Sequence, residues 1–139
     1  MEKILEEVLL SDNFDVHQDW EVPIPGFFIV AAKDTSRPSI ADFTTEQANE
    51  LVSVIQRVRG AMRTVLGIED VYIFQNEDTE HGFHVWMFPR HTWMEQFGRK
   101  IESVRPAMLY AREHMMTEEN LLTVKEFAQK AREALQAHA

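Results

Sequence analysis

The clearest pattern of hydrophobic and polar positions lies in the middle third of the chain. Apolar side chains recur there at intervals of three or four residues, the spacing of one helix face: Leu51, Ile55, Val58, Met62 and Val65. Upstream, Thr44 followed by Gln47 forms a capping-box pattern. Gly67 stands where a glycine commonly ends a helix. The sequence therefore predicts one long helix between Thr44 and Gly67.

Short apolar stretches on either side of this helix predict β-strands. The segment FFIVAA (27–32) is a compact apolar run between turn residues, typical of a buried strand. The segments DVYIFQ (70–75) and FHVWMFPR (83–90) are rich in β-branched and aromatic residues. The polar segment between them predicts a hairpin loop. Residues 14–22 also look extended, although their alternation is imperfect.

The two ends of the chain carry amphipathic patterns. The pattern at 2–10 predicts a short helix, with apolar residues on one side. After Pro89 the pattern is helical to the end of the chain. Pro106 is expected in the first turn of one helix, and Thr117 is expected to open another. Because no repeat or linker interrupts the sequence, we expect one α+β domain over residues 1–139.

Composition narrows the class of protein. The chain has 139 residues, of which 45% are hydrophobic and 27% charged, as in a soluble globular domain. It has no cysteine, which excludes disulfides and thiolate metal sites and fits a reducing compartment. No apolar run approaches the roughly 18 residues of a membrane span, and the N-terminus lacks the features of a signal peptide. We therefore expect a cytoplasmic protein without a membrane partner.

The net charge limits the kind of ligand. At −9, it argues against binding a nucleic-acid polymer, because neutralising many phosphates requires a continuous basic surface. A small phosphorylated ligand remains compatible with this charge. Such a ligand needs only a local group of donors, which a few residues can supply.

Candidate chemistry concentrates in HGFHVWMFPRH (81–91), which holds three of the six histidines. Side chains alternate in a strand, so His84 shares a face with Trp86. The odd spacings place His81 and His91 on the opposite face, whereas zinc ligands must converge at about 2 Å on one point. The pattern argues against a metal site. It leaves His84 as either a hydrogen-bonded strand residue or a catalyst.

Three segments follow one another along the chain: IPGFFIVAAKD, IADFTTEQANELVSVIQRV and VYIFQNEDTEHGFHVWMFPR. Their order resembles the histidine-triad (HIT) superfamily of nucleotide hydrolases and transferases. In the family, the last segment ends in His-φ-His-φ-His-φ-φ-Pro-Arg, where φ is apolar. The resemblance covers about residues 14–91 and leaves 92–139 as a helical extension. It implies a HIT-like antiparallel sheet of about five strands, one long helix, extra C-terminal helices and a homodimer.

Aligned on the Phe-Pro-Arg at 88–90, the resemblance assigns His84 to the middle histidine, which is the nucleophile in the family. The first triad position is Gly82, and the third is Trp86. Phe27 stands at a further position where the family has histidine. Since the family includes transferases with glutamine at the third position, these departures leave the nucleophile in place and make turnover an open question.

Nucleotide-binding candidates come from the resemblance for two residues and from side-chain chemistry for three others. Gln75 matches a phosphate contact, and Asp19 matches a residue that binds the ribose hydroxyls, whose protons a carboxylate can accept. Gly82 would let backbone N–H groups approach a phosphate, because it has no Cβ. Arg90 is a candidate for neutralising the phosphate, and Trp86 for contacting the base. Each residue has a plain alternative: a strand end, a solvated loop or hydrophobic packing.

Two hypotheses of function follow. The first is a nucleotide phosphohydrolase or nucleotidyl transferase that acts through a covalent nucleotidyl-histidine, without a cofactor or metal. Its substrates would be dinucleoside polyphosphates or nucleoside phosphoramidates. The second is a catalytically weak or inactive nucleotide-binding or interaction protein on the same scaffold. The retained middle histidine with its neighbouring glycine favours the first. The replaced histidines and the short hairpin before His84, which lacks the family's Ala-Gly-Gln segment, favour the second.

Overall fold

A five-stranded antiparallel sheet organises the chain in the computed structural model, which describes residues 7–137. Its strand order is β1-β2-β3-β5-β4, so that β5 lies inside the sheet and β1 and β4 are its edges. The strands are β1 (Glu7–Leu10), β2 (Phe14–Gln18), β3 (Phe28–Ala32), β4 (Val71–Phe74) and β5 (His84–Pro89). The helices are α1 (Thr45–Thr64), α2 (Val104–His114) and α3 (Glu118–Ala137). The expected α+β class and strand number are confirmed.

The predicted N-terminal helix is wrong where the structure describes it. Residues Glu7–Leu10 form β1, which pairs antiparallel with β2, and the rest of the predicted helix lies outside the described residues. A register shift between Glu7 and Leu9 lets the adjacent Val8 and Leu9 both be buried. Two neighbouring buried residues also fit a helix, and only pairing with β2 decides between the two structures.

Helix α1 has the capping box that the sequence predicts. The Thr44 hydroxyl oxygen accepts the backbone N–H of Gln47 at 3.1 Å, and the Gln47 side-chain oxygen accepts the backbone N–H of Thr44 at 2.9 Å. The helix ends at Thr64, and Gly67 follows with φ of 68°. Val65, the last apolar residue of the predicted face, is 41% exposed because the helix stops before it.

The sheet has two packed faces, and β5 contributes to both. Val85 and Met87 belong to the core that α1 and α3 cover. Phe88 belongs to a second core on the other face, which α2 covers, and Trp86 packs against it. His84 lies on this second face by the alternation of the strand. The predicted division of β5 into two faces is confirmed.

The C-terminal helices begin as expected. Pro106 lies in the first turn of α2, and the Thr117 hydroxyl accepts the backbone N–H of Asn120 at 3.2 Å at the start of α3. The buried residues of α2 pack on the second face of the sheet: Val104, Ala107 and Ala111. Those of α3 join the core on the first face: Ala128, Ala131 and Leu135. Among the described residues, no helix combines the length and apolar character needed to cross a membrane.

Candidate active site

A cleft of about 430 Å³ opens on the second face of the sheet, at the N-terminal end of β5. Strands β2 and β3 line its floor, and the segment 81–84 and Trp86 line one wall. Helix α2 lines another part through Met108 and Arg112. The volume is within the range of small-molecule sites. The cleft therefore brings together residues from the N-terminal part, the middle and the C-terminal part of the chain.

His84 is held in one orientation at this cleft. Its side chain is largely buried, at 8% exposure, and Nδ1 lies 2.7 Å from the carbonyl oxygen of Gly82. A carbonyl oxygen only accepts hydrogen bonds, so Nδ1 carries a proton, and in the neutral imidazole the lone pair then lies on Nε2. Across the sheet, Ala31 is paired with His84 and leaves space beside the imidazole. The arrangement fixes the orientation of the ring and assigns the lone pair of its neutral form to Nε2.

Trp86 forms an aromatic wall beside this imidazole. Its ring meets that of His84 nearly edge-on, with centroids 4.1 Å apart and planes at 65°. On its other side it stacks on Phe74, with centroids 5.3 Å apart and planes at 16°. Trp86 is therefore a packed side chain that also lines the cleft.

His81 lies on the same side as His84, contrary to the face assignment made from the sequence. Their ring centroids are 5.9 Å apart, and both residues line the cleft. Since β5 begins at His84, the alternation of the strand does not extend back to His81. His91 lies elsewhere, where Nε2 donates to the carbonyl oxygen of Pro25 at 2.6 Å. Within residues 7–137, no three His, Cys, Asp or Glu side chains are grouped to hold a metal ion.

Gly82 is required by a close approach of two backbone segments. A Cβ at this position would lie 2.6 Å from Cα of Thr35 and 3.1 Å from its carbonyl oxygen. Both residues line the cleft. The absence of a side chain thus lets the loop after β3 pack against the residue whose carbonyl orients His84. Whether the N–H groups here contact phosphate remains a prediction.

Asp19 lies in the cleft with His84, as the resemblance implies. One carboxylate oxygen, Oδ1, accepts the backbone N–H groups of Glu21 and Val22 at 2.9 and 3.1 Å. Burial raises the pKa of Asp19 above its usual value, although these two hydrogen bonds act in the opposite direction. A carboxylate that is partly desolvated in a cleft is a feature of functional sites.

Gln75 and Arg90 are not among the residues that line the cleft. The Gln75 amide donates to the carbonyl oxygen of Asn76 at 3.0 Å. The Arg90 side chain is only 5% exposed and binds the carbonyl oxygen of Gly98 at 2.9 Å and the Glu95 carboxylate at 3.3 Å. The structure thus gives Arg90 a structural environment, anchoring the segment after β5.

Several residues of the cleft were missed by the sequence analysis. Trp20 and Glu21 follow Asp19 in the turn after β2 and line the cleft with it. The indole N–H of Trp20 is buried and has no acceptor within the described part of the chain. Met108 and Arg112 lie one helical turn apart on α2, next to its buried face. Their helical spacing was visible in the sequence, but nothing local indicated which sheet residues α2 would face.

No protein-family model matches the sequence, and no curated protein matches it. Solved structures do match the fold. A histidine triad protein from Marinobacter aquaeolei VT8 aligns with a TM-score of 0.66 and 15% identity, over 94% of this chain and 90% of that chain. A HIT-like protein involved in cell-cycle regulation from Bartonella henselae aligns with a TM-score of 0.63 and 20% identity, over 94% and 86%.

A third structure, a hypothetical histidine triad nucleotide-binding protein from Sulfolobus tokodaii strain7, aligns with a TM-score of 0.64 and 13% identity, over 94% of this chain and 83% of that chain. The assignment of residues 92–139 to a helical extension of a HIT-like core remains a prediction. The chain has the fold of the histidine-triad proteins.

Proposed function

We propose that the protein is a nucleotide phosphohydrolase or nucleotidyl transferase that acts through a covalent nucleotidyl-histidine on His84. One observation carries the proposal: the Gly82 carbonyl, 2.7 Å from Nδ1, leaves Nε2 of His84 as a base and nucleophile at the cleft. The histidine-triad fold supports it, and one structure of that fold is named as nucleotide-binding.

The reaction has two steps at the α-phosphorus. In the first, the Nε2 lone pair of His84 forms a bond to phosphorus while the bond to the leaving group breaks, and the leaving group takes the electron pair and a proton. We assign delivery of this proton to His81, because its ring lies 5.9 Å from that of His84. In the second, water attacks phosphorus and gives a proton to His81, which restores that residue, and the Nε2–phosphorus bond breaks. The electron pair returns to Nε2, and a nucleoside 5′-monophosphate leaves.

Asp19 supplies the contact for the sugar in this proposal. Its Oδ1 atom already accepts two backbone N–H groups, which orients the carboxylate at the cleft. The second carboxylate oxygen then accepts the protons of ribose hydroxyls. Ligand hydroxyls would compensate part of the cost of burying this carboxylate, which the raised pKa of Asp19 reflects.

The second candidate is a nucleotide-binding protein that does not turn over its ligand. The observation that favours it is the close packing of Trp86 against His84, with ring centroids 4.1 Å apart. The indole takes the place of a histidine of the family pattern, and an indole can neither take up nor release a proton at neutral pH as an imidazole can. Both candidates share the cleft and differ only in the chemistry at phosphorus.

The decisive experiment combines turnover with detection of the covalent adduct. The protein is incubated with adenosine 5′-phosphoramidate and diadenosine polyphosphates, and quenched samples are analysed for product and for protein carrying one nucleoside monophosphate. The variants are His84→Ala and His84→Asn. Asparagine can still donate to the Gly82 carbonyl but has no second nitrogen to attack phosphorus. His114→Asn is the control, because that histidine is exposed and outside the cleft.

We expect product and adduct from the wild type and from His114→Asn, and a loss of at least about 100-fold in both His84 variants. Equal rates in wild type and His84→Asn would contradict the role of His84. Nucleotide binding by a wild type that forms neither product nor adduct would establish the binding protein instead. Absence of both binding and turnover would contradict both candidates.

The homodimer and the cytoplasmic location also remain proposals. The edge strand β4 supports self-association, because Ile73 on it is 49% exposed and the outer edge of β4 is unpaired among the described strands. Light scattering on the purified protein tests the dimer. A monomer at all concentrations would contradict it.

A further inference from the structure

Helix α2 brings a positive charge to the cleft. Its buried positions Ala107 and Ala111 are fully covered, and their small side chains let the helix approach the sheet closely. Met108 and Arg112 lie on the flank of this buried face, one turn apart, and both line the cleft. The packing of α2 on the sheet thus places the guanidinium group of Arg112 at the cleft that His84 also lines.

The charges around the cleft are unevenly distributed. Among the described residues that line the cleft, Arg112 is the only lysine or arginine. Two acidic residues, Asp19 and Glu21, also line it. Arg112 forms no ion pair within the described part of the chain, so its guanidinium is available to a ligand. A planar guanidinium suits a phosphate, because it can donate two parallel N–H bonds.

We propose that Arg112 binds the phosphate of the ligand at His84, and that Glu21 and Asp19 restrict the cleft to ligands with a single phosphate. Identification of that phosphate as the reacting one rests on the proposed function. One cation can neutralise one phosphate, but every further phosphate meets carboxylates and the negative field of a chain with net charge −9. Of the two substrate classes, the cleft therefore selects nucleoside phosphoramidates over dinucleoside polyphosphates.

The experiment measures equilibrium binding of AMP, ADP and ATP to the wild type by intrinsic fluorescence. Trp20 and Trp86 line the cleft and serve as reporters. The test variants are Arg112→Gln and Arg112→Lys. The matched control is Arg105→Gln, which removes an exposed arginine of the same helix about 10 Å away and outside the cleft.

We expect Arg112→Gln to weaken AMP binding by about 10- to 100-fold, as loss of a charged hydrogen-bonding partner does, and Arg112→Lys to lose less. Arg105→Gln should stay within about twofold of the wild type. The wild type should bind AMP more tightly than ATP, and Glu21→Gln should reduce that preference. Thermal unfolding of each variant confirms that the fold is intact.

Three results would overturn the proposal: no AMP binding by the wild type, equal AMP binding by wild type and Arg112→Gln, or tighter binding of ATP than of AMP. The test is separable from that of the proposed function. Arg112-dependent AMP binding without any adduct on His84 would defeat the catalytic proposal alone. Turnover that depends on His84 with unchanged AMP affinity in Arg112→Gln would defeat this one alone.

Discussion

The carbonyl oxygen of Gly82 lies 2.7 Å from Nδ1 of His84, two residues further along the chain. The same glycine packs so closely on Thr35 that it has no room for a side chain. One residue therefore sets the tautomer of the candidate nucleophile and joins it to the loop after β3. The orientation of the imidazole depends on a backbone contact between two distant parts of the sequence.

Replacement of Gly82 by alanine should disturb both the orientation of His84 and the contact with Thr35. A Cβ only 2.6 Å from Cα of Thr35 forces the backbone to shift, and the carbonyl that holds His84 moves with it. We expect a loss of about 1–3 kcal/mol in the free energy of unfolding and of about 10- to 100-fold in turnover. Gly60→Ala is the control, since a Cβ there meets nothing within 4 Å and should stabilise α1 by about 0.5–1 kcal/mol. Unchanged turnover in Gly82→Ala would contradict the role of this carbonyl.

Asp19→Asn should make the fold more stable at neutral pH relative to the wild type. Burial raises the pKa of Asp19 above its ordinary value of 3.8, so the folded state disfavours its charge. The contribution of Asp19 to the free energy of unfolding is then fully present below pH 3.8, and it is lost as the pH rises through the pKa of the folded state. Urea unfolding at pH 7 and at pH 3.5 should show that the variant is more stable than the wild type only at pH 7. The variant should also bind AMP more weakly than the wild type. A gain of equal size at both pH values would contradict this account.

His91 should make the fold sensitive to mild acid. Burial lowers its pKa, although the hydrogen bond to the Pro25 carbonyl opposes this, so the contribution of His91 to stability is complete above its ordinary pKa of 6.5. That contribution is lost as pH falls from 6.5 towards the folded pKa. Denaturation at pH 7.5 and at pH 5.5 should show a smaller difference in the free energy of unfolding for His91→Gln than for the wild type. Glutamine can still donate a hydrogen bond to the Pro25 carbonyl. The exposed His114→Gln should keep the wild-type difference, and an equal loss in all three proteins would argue against His91.

Arg90→Lys should destabilise the fold without affecting ligand binding. The buried guanidinium binds the Gly98 carbonyl and Glu95, contacts that an ammonium group cannot reproduce together, so we expect a loss of about 1–3 kcal/mol. Arg99→Lys is the control. Arg99 binds the same Glu95 at 2.6 Å but is 64% exposed, and its loss should be below about 0.5 kcal/mol. A fall in AMP affinity confined to Arg90→Lys would restore Arg90 as the candidate for neutralising the phosphate.

Much of the fold could be predicted from local rules. The capping box of Thr44 and Gln47 and the period of α1 concern residues within a few positions of each other, as does the alternation of β5 around His84. The resemblance added the order of the elements and the placement of Asp19 and His84 in one cleft. The N-terminal strand was missed because Val8 and Leu9 suit either structure, and pairing with β2 lies outside any local rule.

The sequence by itself determined the elements, the histidine-triad resemblance and the residue to examine first, His84. Only the tertiary structure decided which side chains surround it. His81 lies beside His84, because β5 begins only at His84 and the alternation of a strand does not apply before it. Arg90 lies outside the residues that line the cleft. The tertiary structure also brought Arg112 to the cleft through the packing of α2. Such contacts join residues far apart in sequence, and side-chain packing between elements determines them, which no local periodicity encodes.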